Sequence, residues 1–293
     1  MTNTISMSLD NLPLPSVASG AVLAELHIGS YNPIRKDVRV TDAVHSSEGA
    51  SSDSGQYVKR LFPGVKQFTQ IKTLEMRGRI GHKKMTAPWS DGGQRFLVVA
   101  VMPEYVQFVT GIEQQYWGVV QEIQDDYPNI LRMVQAKMGS TFEPHLYPTA
   151  DQLPQQFKFR HVRVPVPTIN DFDRIAGSAQ SIMREEFEKH MAQVQKDIVL
   201  DMQDNTRKVL EKMSERLSDD DNKFKNTLVT NVSDHAQHME NYNAVLQLPE
   251  VETMKRNVQN ILEMANPEVL RHSSEVRRQV KEKVDAVLKS MDW

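Results

Sequence analysis

The second half of this chain is almost free of helix breakers. From residue 169 to residue 293 there is one glycine, Gly177, and there are two prolines, Pro249 and Pro267. Proline removes an intrahelical donor and glycine raises the entropic cost of a helix, so a stretch with so few of them is free to build long helices. Phe187, Met191, Val194, Ile198 and Met202 step by four and three, and Val209, Met213 and Leu217 resume the stripe after Thr206. This spacing predicts one helix of roughly 40 residues, about 60 Å long at about 1.5 Å per residue. Such a helix must bury its stripe against something, which predicts a helical hairpin or coiled-coil-like arrangement. Ser218-Asp219-Asp220-Asp221 ends the helix and offers capping oxygens to the next one, whose apolar face is Phe224, Leu228, Val232, Ala236 and Met239. Pro249 and Pro267 each suit the first turn of a further helix. Val251, Met254, Val258 and Ile261 line one of these, and Val276, Val280, Val284, Val287 and Met291 line the other.

The first half reads differently. Residues 21–29 and 37–44 have the composition of strands, with Asn32-Pro33 as the turn between them. Residues 46–56 are small and polar, a surface loop. Val65, Phe68, Ile71 and Leu74 mark a helix that Gly78 and Gly81 weaken, and Pro88–Gly93 is a turn. Residues 95–102 form a buried extended segment, and Pro103 opens a helix carrying Val106, Val109, Ile112, Tyr116, Val119, Val120 and Ile123 despite Gly111 and Gly118. Pro128 opens another helix that ends at Gly139. In residues 157–167 Pro165 and Pro167 argue for an edge strand. The expected fold is therefore mainly α. It has a polar tail over 1–20, a mixed α+β part over 21–168 and an extended helical part over 169–293.

Charged residues make up 25% of the chain and hydrophobic ones 39%, the balance of a soluble protein with its own core. There is no cysteine, which excludes disulfides, thiolate nucleophiles and cysteine-ligated zinc. No apolar run approaches the ~20 residues a membrane helix needs, and the N-terminal residues lack a signal-peptide pattern. A cytoplasmic protein without membrane contact is the expectation.

The net charge is only -3, but it is unevenly spread. Lys59, Arg60, Lys66, Lys72, Arg77, Arg79, Lys83 and Lys84 are opposed by one acid, Glu75, a local surplus of seven positive charges. Such a segment can neutralise phosphates. With Arg160 and Arg163, and with Phe62, Phe68 and Trp89 as stacking rings, it outlines a surface for single-stranded nucleic acid. The competing expectation is a solvated helix face whose rings turn into the core. GRIGHKK fits neither nucleotide-binding glycine pattern, and PWSDGGQR lacks the arrangement of a hydrolase elbow. His235 and His238 share a helix face but bring no third metal ligand, and the pairs Glu185-Glu186 and Asp125-Asp126 sit in solvated helical contexts. No cofactor, metal or catalytic residue is expected, and the chain does not read as an enzyme.

Several segments, taken in order, resemble the bacterial and phage family known as domain of unknown function 3150. They are LAELHIGSYNPIRKD, DSGQYVKRLFP, TAPWSDGGQRFLVVAVMPEYVQFV, DYPNILRMVQAKMGSTFEPHLYPTADQLPQQFKF, RVPVPTINDF and EKMSERLSDDDNKFKNTLVTNV. The resemblance spans residues 22–262 and brings no catalytic residue with it. It implies a phage or mobile-element protein that works with a MoxR-type AAA+ ATPase and a von Willebrand A-domain protein. Together with the long helical stripe it leads to the expectation of a non-enzymatic adaptor or scaffold, with protein partners or a second copy on the stripe. Binding of single-stranded nucleic acid by the 59–84 segment is the alternative.

Overall fold

Helix α5, Ser178–Leu217, is the longest element, 40 residues without a break. The computed structural model describes residues 19–175, 177–218 and 226–291. Before α5 come β1 (Ala21–Gly29), β2 (Ile34–Lys36), α1 (Val38–Glu48), β3 (Val58–Arg60), α2 (Lys66–Met85), β4 (Ala87–Pro88), β5 (Arg95–Val98), α3 (Met102–Asp125), α4 (Tyr127–Met138) and β6 (Lys158–Pro165). After it come α6 (Thr227–Leu246), α7 (Pro249–Leu262), α8 (Pro267–His272) and α9 (Ser274–Ser290). The protein is mainly α, 69% helical over the described residues, with an antiparallel sheet contributed by its N-terminal part. The strand order is β4-β5-β1-β6, so β6 is an edge strand, and β2 and β3 form a separate ribbon. Among the described residues no helix is long and apolar enough to cross a membrane.

The division at residue 168 follows element type along the sequence; contact density groups the chain differently. One unit takes the described residues of Met1–Glu25, Lys83–Glu104 and Val162–Trp293, and the other takes Leu26–His82 and Tyr105–His161. We call them the long-helix unit and the inserted unit.

In the long-helix unit, α5 packs against α6, α7 and α9. Its seam of Phe187, Met191, Val194, Ile198, Met202, Leu210, Met213 and Leu217 is buried. Facing residues are Val232, Met239 and Tyr242 of α6, Val251 and Val258 of α7, and Val280 and Val284 of α9, each fully covered. The sequence placed Val209 in this seam. Leu210 holds the position instead, because Thr206 is itself buried and the stripe steps from 202 through 206 to 210. Phe224 of the expected α6 face lies outside the described residues. The helix opened by Pro267 stops at His272, and α9 starts afresh. Ser273 is extended, at φ -123 and ψ 108, and its hydroxyl caps Val276 N–H. β1 joins this unit by antiparallel pairing with β5, Ala21 opposite Val98 and Ala24 opposite Arg95.

In the inserted unit the expected strand over 37–44 is the helix α1. Alternating Val38 and Val40 suggested a strand, but Asp37 accepts a hydrogen bond from Val40 N–H at 3.1 Å, and the Thr41 hydroxyl donates to Asp37 O at 2.7 Å. That N-cap outweighs a weak local strand preference. The loop expected from residue 46 accordingly begins at the αL residue Gly49. Phe62, Phe68, Tyr127 and Tyr147 gather into an aromatic cluster, with Phe62 and Phe68 stacked at 4.5 Å.

Candidate partner-binding surface

The basic segment does not form one surface. Lys59 is buried. Its ammonium lies 3.3 Å from Asp37 Oδ2, pairs with Glu143 and donates to Thr141 O. This arrangement follows from the ribbon: Lys59 is buried opposite the half-buried Arg35, while Ile34, Lys36, Val58 and Arg60 are exposed. The Val40 N–H, helped by Lys59, holds the Asp37 carboxyl below its usual range. Burial alone would depress the Lys59 ammonium, but Glu143 and Asp37 outweigh it and raise it. Lys59 is thus a structural cation, unavailable to an outside phosphate.

On α2 the cations sort by helix register. Lys72 and Arg79 both pair with Glu75, at 3.1 and 2.7 Å, and Arg79 also donates to Ile28 O. Burial would raise the Glu75 carboxyl, but the Ser30 hydroxyl, Lys72 and Arg79 hold it below its usual value. Lys66 and Arg77 lie on the opposite, exposed side and have no acid within ion-pair distance among the described residues. Lys83 and Lys84 belong to the long-helix unit, where Lys84 stands 3.8 Å from Asp234. Arg60 and Arg160 are exposed and Arg163 is half-buried. The three rings offered for base stacking are buried: Phe62 and Phe68 in the aromatic cluster, and Trp89 against Phe96 and His190.

Between α2 and α3 lies an open groove of about 700 Å³. Lys66, Thr73 and Arg77 stand on the α2 wall, Gln115, Gly118 and Glu122 on the α3 wall, and Leu74 and Val119 supply aliphatic surface. Of these, the sequence singled out only the two cations for binding. Gly118 entered the sequence reading only as a weakness in the helix, together with Gly111. Comparison with protein families, curated proteins and solved structures finds no match.

The long-helix unit carries a second polar cluster, and it faces inward. Thr206 donates to Met202 O at 2.7 Å, which leaves its oxygen to accept from His235 Nε2 at 2.7 Å. His238 lies against the Tyr242 ring at 4.4 Å, and the Tyr242 hydroxyl reaches Met85 O and Phe96 O at 2.9 and 3.0 Å. Burial drives both imidazoles down to about 4, with Lys84 acting the same way. Burial also raises the Asp201 carboxyl, against the opposing pull of Arg95 and Lys83. Among the described residues no group of three or more His, Asp or Glu is placed to hold a metal ion. His235 ties α6 to α5 through the Thr206 hydroxyl, while His238 packs against a ring of its own helix.

Proposed function

We propose that this protein is a non-enzymatic adaptor or scaffold. The observation that supports this best is the construction of α5. Its seam from Phe187 to Leu217 is sealed by helices of the same chain, so the rod keeps its form without a partner. The stripe runs on past its cover: Met183, one turn before Phe187, is 38% exposed, and Ile182 beside it is 55% exposed. A stiff member with an uncovered apolar end suits docking by a second helix. The resemblance to the domain of unknown function 3150 family names the partners to try, a MoxR-type AAA+ ATPase and a von Willebrand A-domain protein. Each would be co-purified with the tagged chain, and the chain alone weighed by size exclusion with light scattering. The expected result is a stable complex with one of the two, or a self-associated chain, weakened by Ile182→Glu/Met183→Glu. A strict monomer that captures neither protein overturns the reading.

A further inference from the structure

Helices α2 and α3 touch at one end and part at the other. At the touching end two glycines are required by packing. A Cβ at Gly78 would meet Ile28 Cδ1 at 2.6 Å and Ile112 Cγ2 at 3.5 Å, and one at Gly81 would strike the Phe108 ring. The two glycines of α3, Gly111 and Gly118, are different, and Gly118 lies at the parted end. Nothing lies within 4 Å of the position its Cβ would take. A glycine inside a helix lowers helix stability, and here neither a crowding neighbour nor a positive φ calls for it. What its missing side chain does provide is depth: Gly118 forms part of the wall of the groove that opens between the two helices.

We propose that this groove receives an acidic amphipathic helix of a partner protein. Lys66 and Arg77 mark the two ends of the α2 wall. They are eleven positions apart, about 16 Å or three helical turns. Both are exposed, and neither has an acid within ion-pair distance among the described residues, whereas Lys72 and Arg79 on the other side are held by Glu75. Between the cations the groove offers the aliphatic surface of Leu74 and Val119. A helix of about three turns, with an apolar stripe flanked by carboxylates, matches the surface in length, hydrophobicity and sign. Glu122 on the opposite wall favours a base on the far side of the incoming helix and so sets its direction. Nucleic acid fits less well, since the groove presents no ring for stacking and Phe62 and Phe68 are buried elsewhere.

The proposal uses residues of the inserted unit alone, so it stands or falls separately from the reading of α5. The probe is a fluorescein-labelled helical peptide of about 14 residues, built of leucine, alanine and glutamate with leucines along one stripe. A counterpart carries lysine for every glutamate. Anisotropy titrations use the full chain, with a labelled oligothymidylate in parallel. We expect micromolar binding of the acidic peptide and none of the basic one. Lys66→Glu/Arg77→Glu should weaken binding at least about tenfold, and added salt should weaken it too. Gly118→Leu should abolish binding while leaving the thermal midpoint unlowered, because the space beside position 118 is open. Equal affinity for both peptides, or unchanged affinity in Gly118→Leu, overturns the proposal. So does an oligothymidylate that binds more tightly than the peptide and is lost in the same variants, or a dimer of the chain that Gly118→Leu dissolves.

Discussion

His235 and His238 make the folded chain sensitive to acid. Both stay neutral in the fold down to about pH 4, while the unfolded chain takes up protons near the ordinary value of 6.5. Below 6.5 the unfolded state therefore binds more protons, and stability falls as pH drops toward 4. Each histidine contributes at most about 1.4 kcal/mol per pH unit over that window. Asp201, raised by burial, works in the opposite direction at the acid end. Urea unfolding at neutral pH and near pH 5 should show a clear loss in the wild type and a smaller one in His235→Gln/His238→Gln; an equal loss in both would rule this out. Lys59 offers a second test at this scale. Lys59→Met leaves the buried Asp37 carboxylate without its cation, whereas Lys59→Met/Asp37→Asn removes both charges. The single variant is expected to have the lower denaturation midpoint of the two, since an unpaired buried charge costs more than a missing pair. A lower midpoint in the double variant would show that the Asp37 cap matters more than the ion pair.

Along α5, a deletion should cost according to the side it faces. Leu210→Ala empties a fully buried seam position and should cost about 2–5 kcal/mol. Leu200, 60% exposed on the same helix, should cost less than about 0.5 kcal/mol when cut to Ala. Equal losses by chemical denaturation would mean the seam is covered differently. The break before α9 gives a finer test: Ser273→Ala removes the hydroxyl that caps Val276 N–H and should cost about 1 kcal/mol in the same assay. Much of this was legible from periodicity, because the seam between Phe187 and Met202 is written in large apolar residues at helical spacing. Hydropathy failed where a polar residue occupies a core position. Thr206 sits in the seam because its hydroxyl is satisfied by Met202 O and His235, and this shifted the reading from Leu210 to Val209. It failed again at α1, where a cap at Asp37 and not the valine alternation decided the backbone. The groove was illegible for a third reason. Its walls come from two successive helices whose pairing no single stretch of sequence records, and most of its residues are polar or, at Gly118, have no side chain at all.

At the scale of the molecule, neither unit is a continuous stretch of sequence. A fragment beginning at residue 169 contains α5 to α9 but loses Met85 O and Phe96 O, the two acceptors of the Tyr242 hydroxyl, and the Phe96 ring beside it. Such a fragment is expected to keep much of its helix by far-UV circular dichroism while melting well below the full chain, with a broader transition. A fragment that melts at the temperature of the full chain would show that the helices need nothing from the β4–β5 region.

The interleaving also bears on synthesis. The segments of the inserted unit have all left the ribosome by His161, but α9, which covers α5, emerges well over a hundred residues later. Until α5 and α6 follow, Leu23, Leu97 and Val98, buried in the finished protein, wait without the helices of their own unit. The nascent chain thus carries a sticky β1–β5 pair until α6 has been made, and chaperone demand should be greatest in that interval.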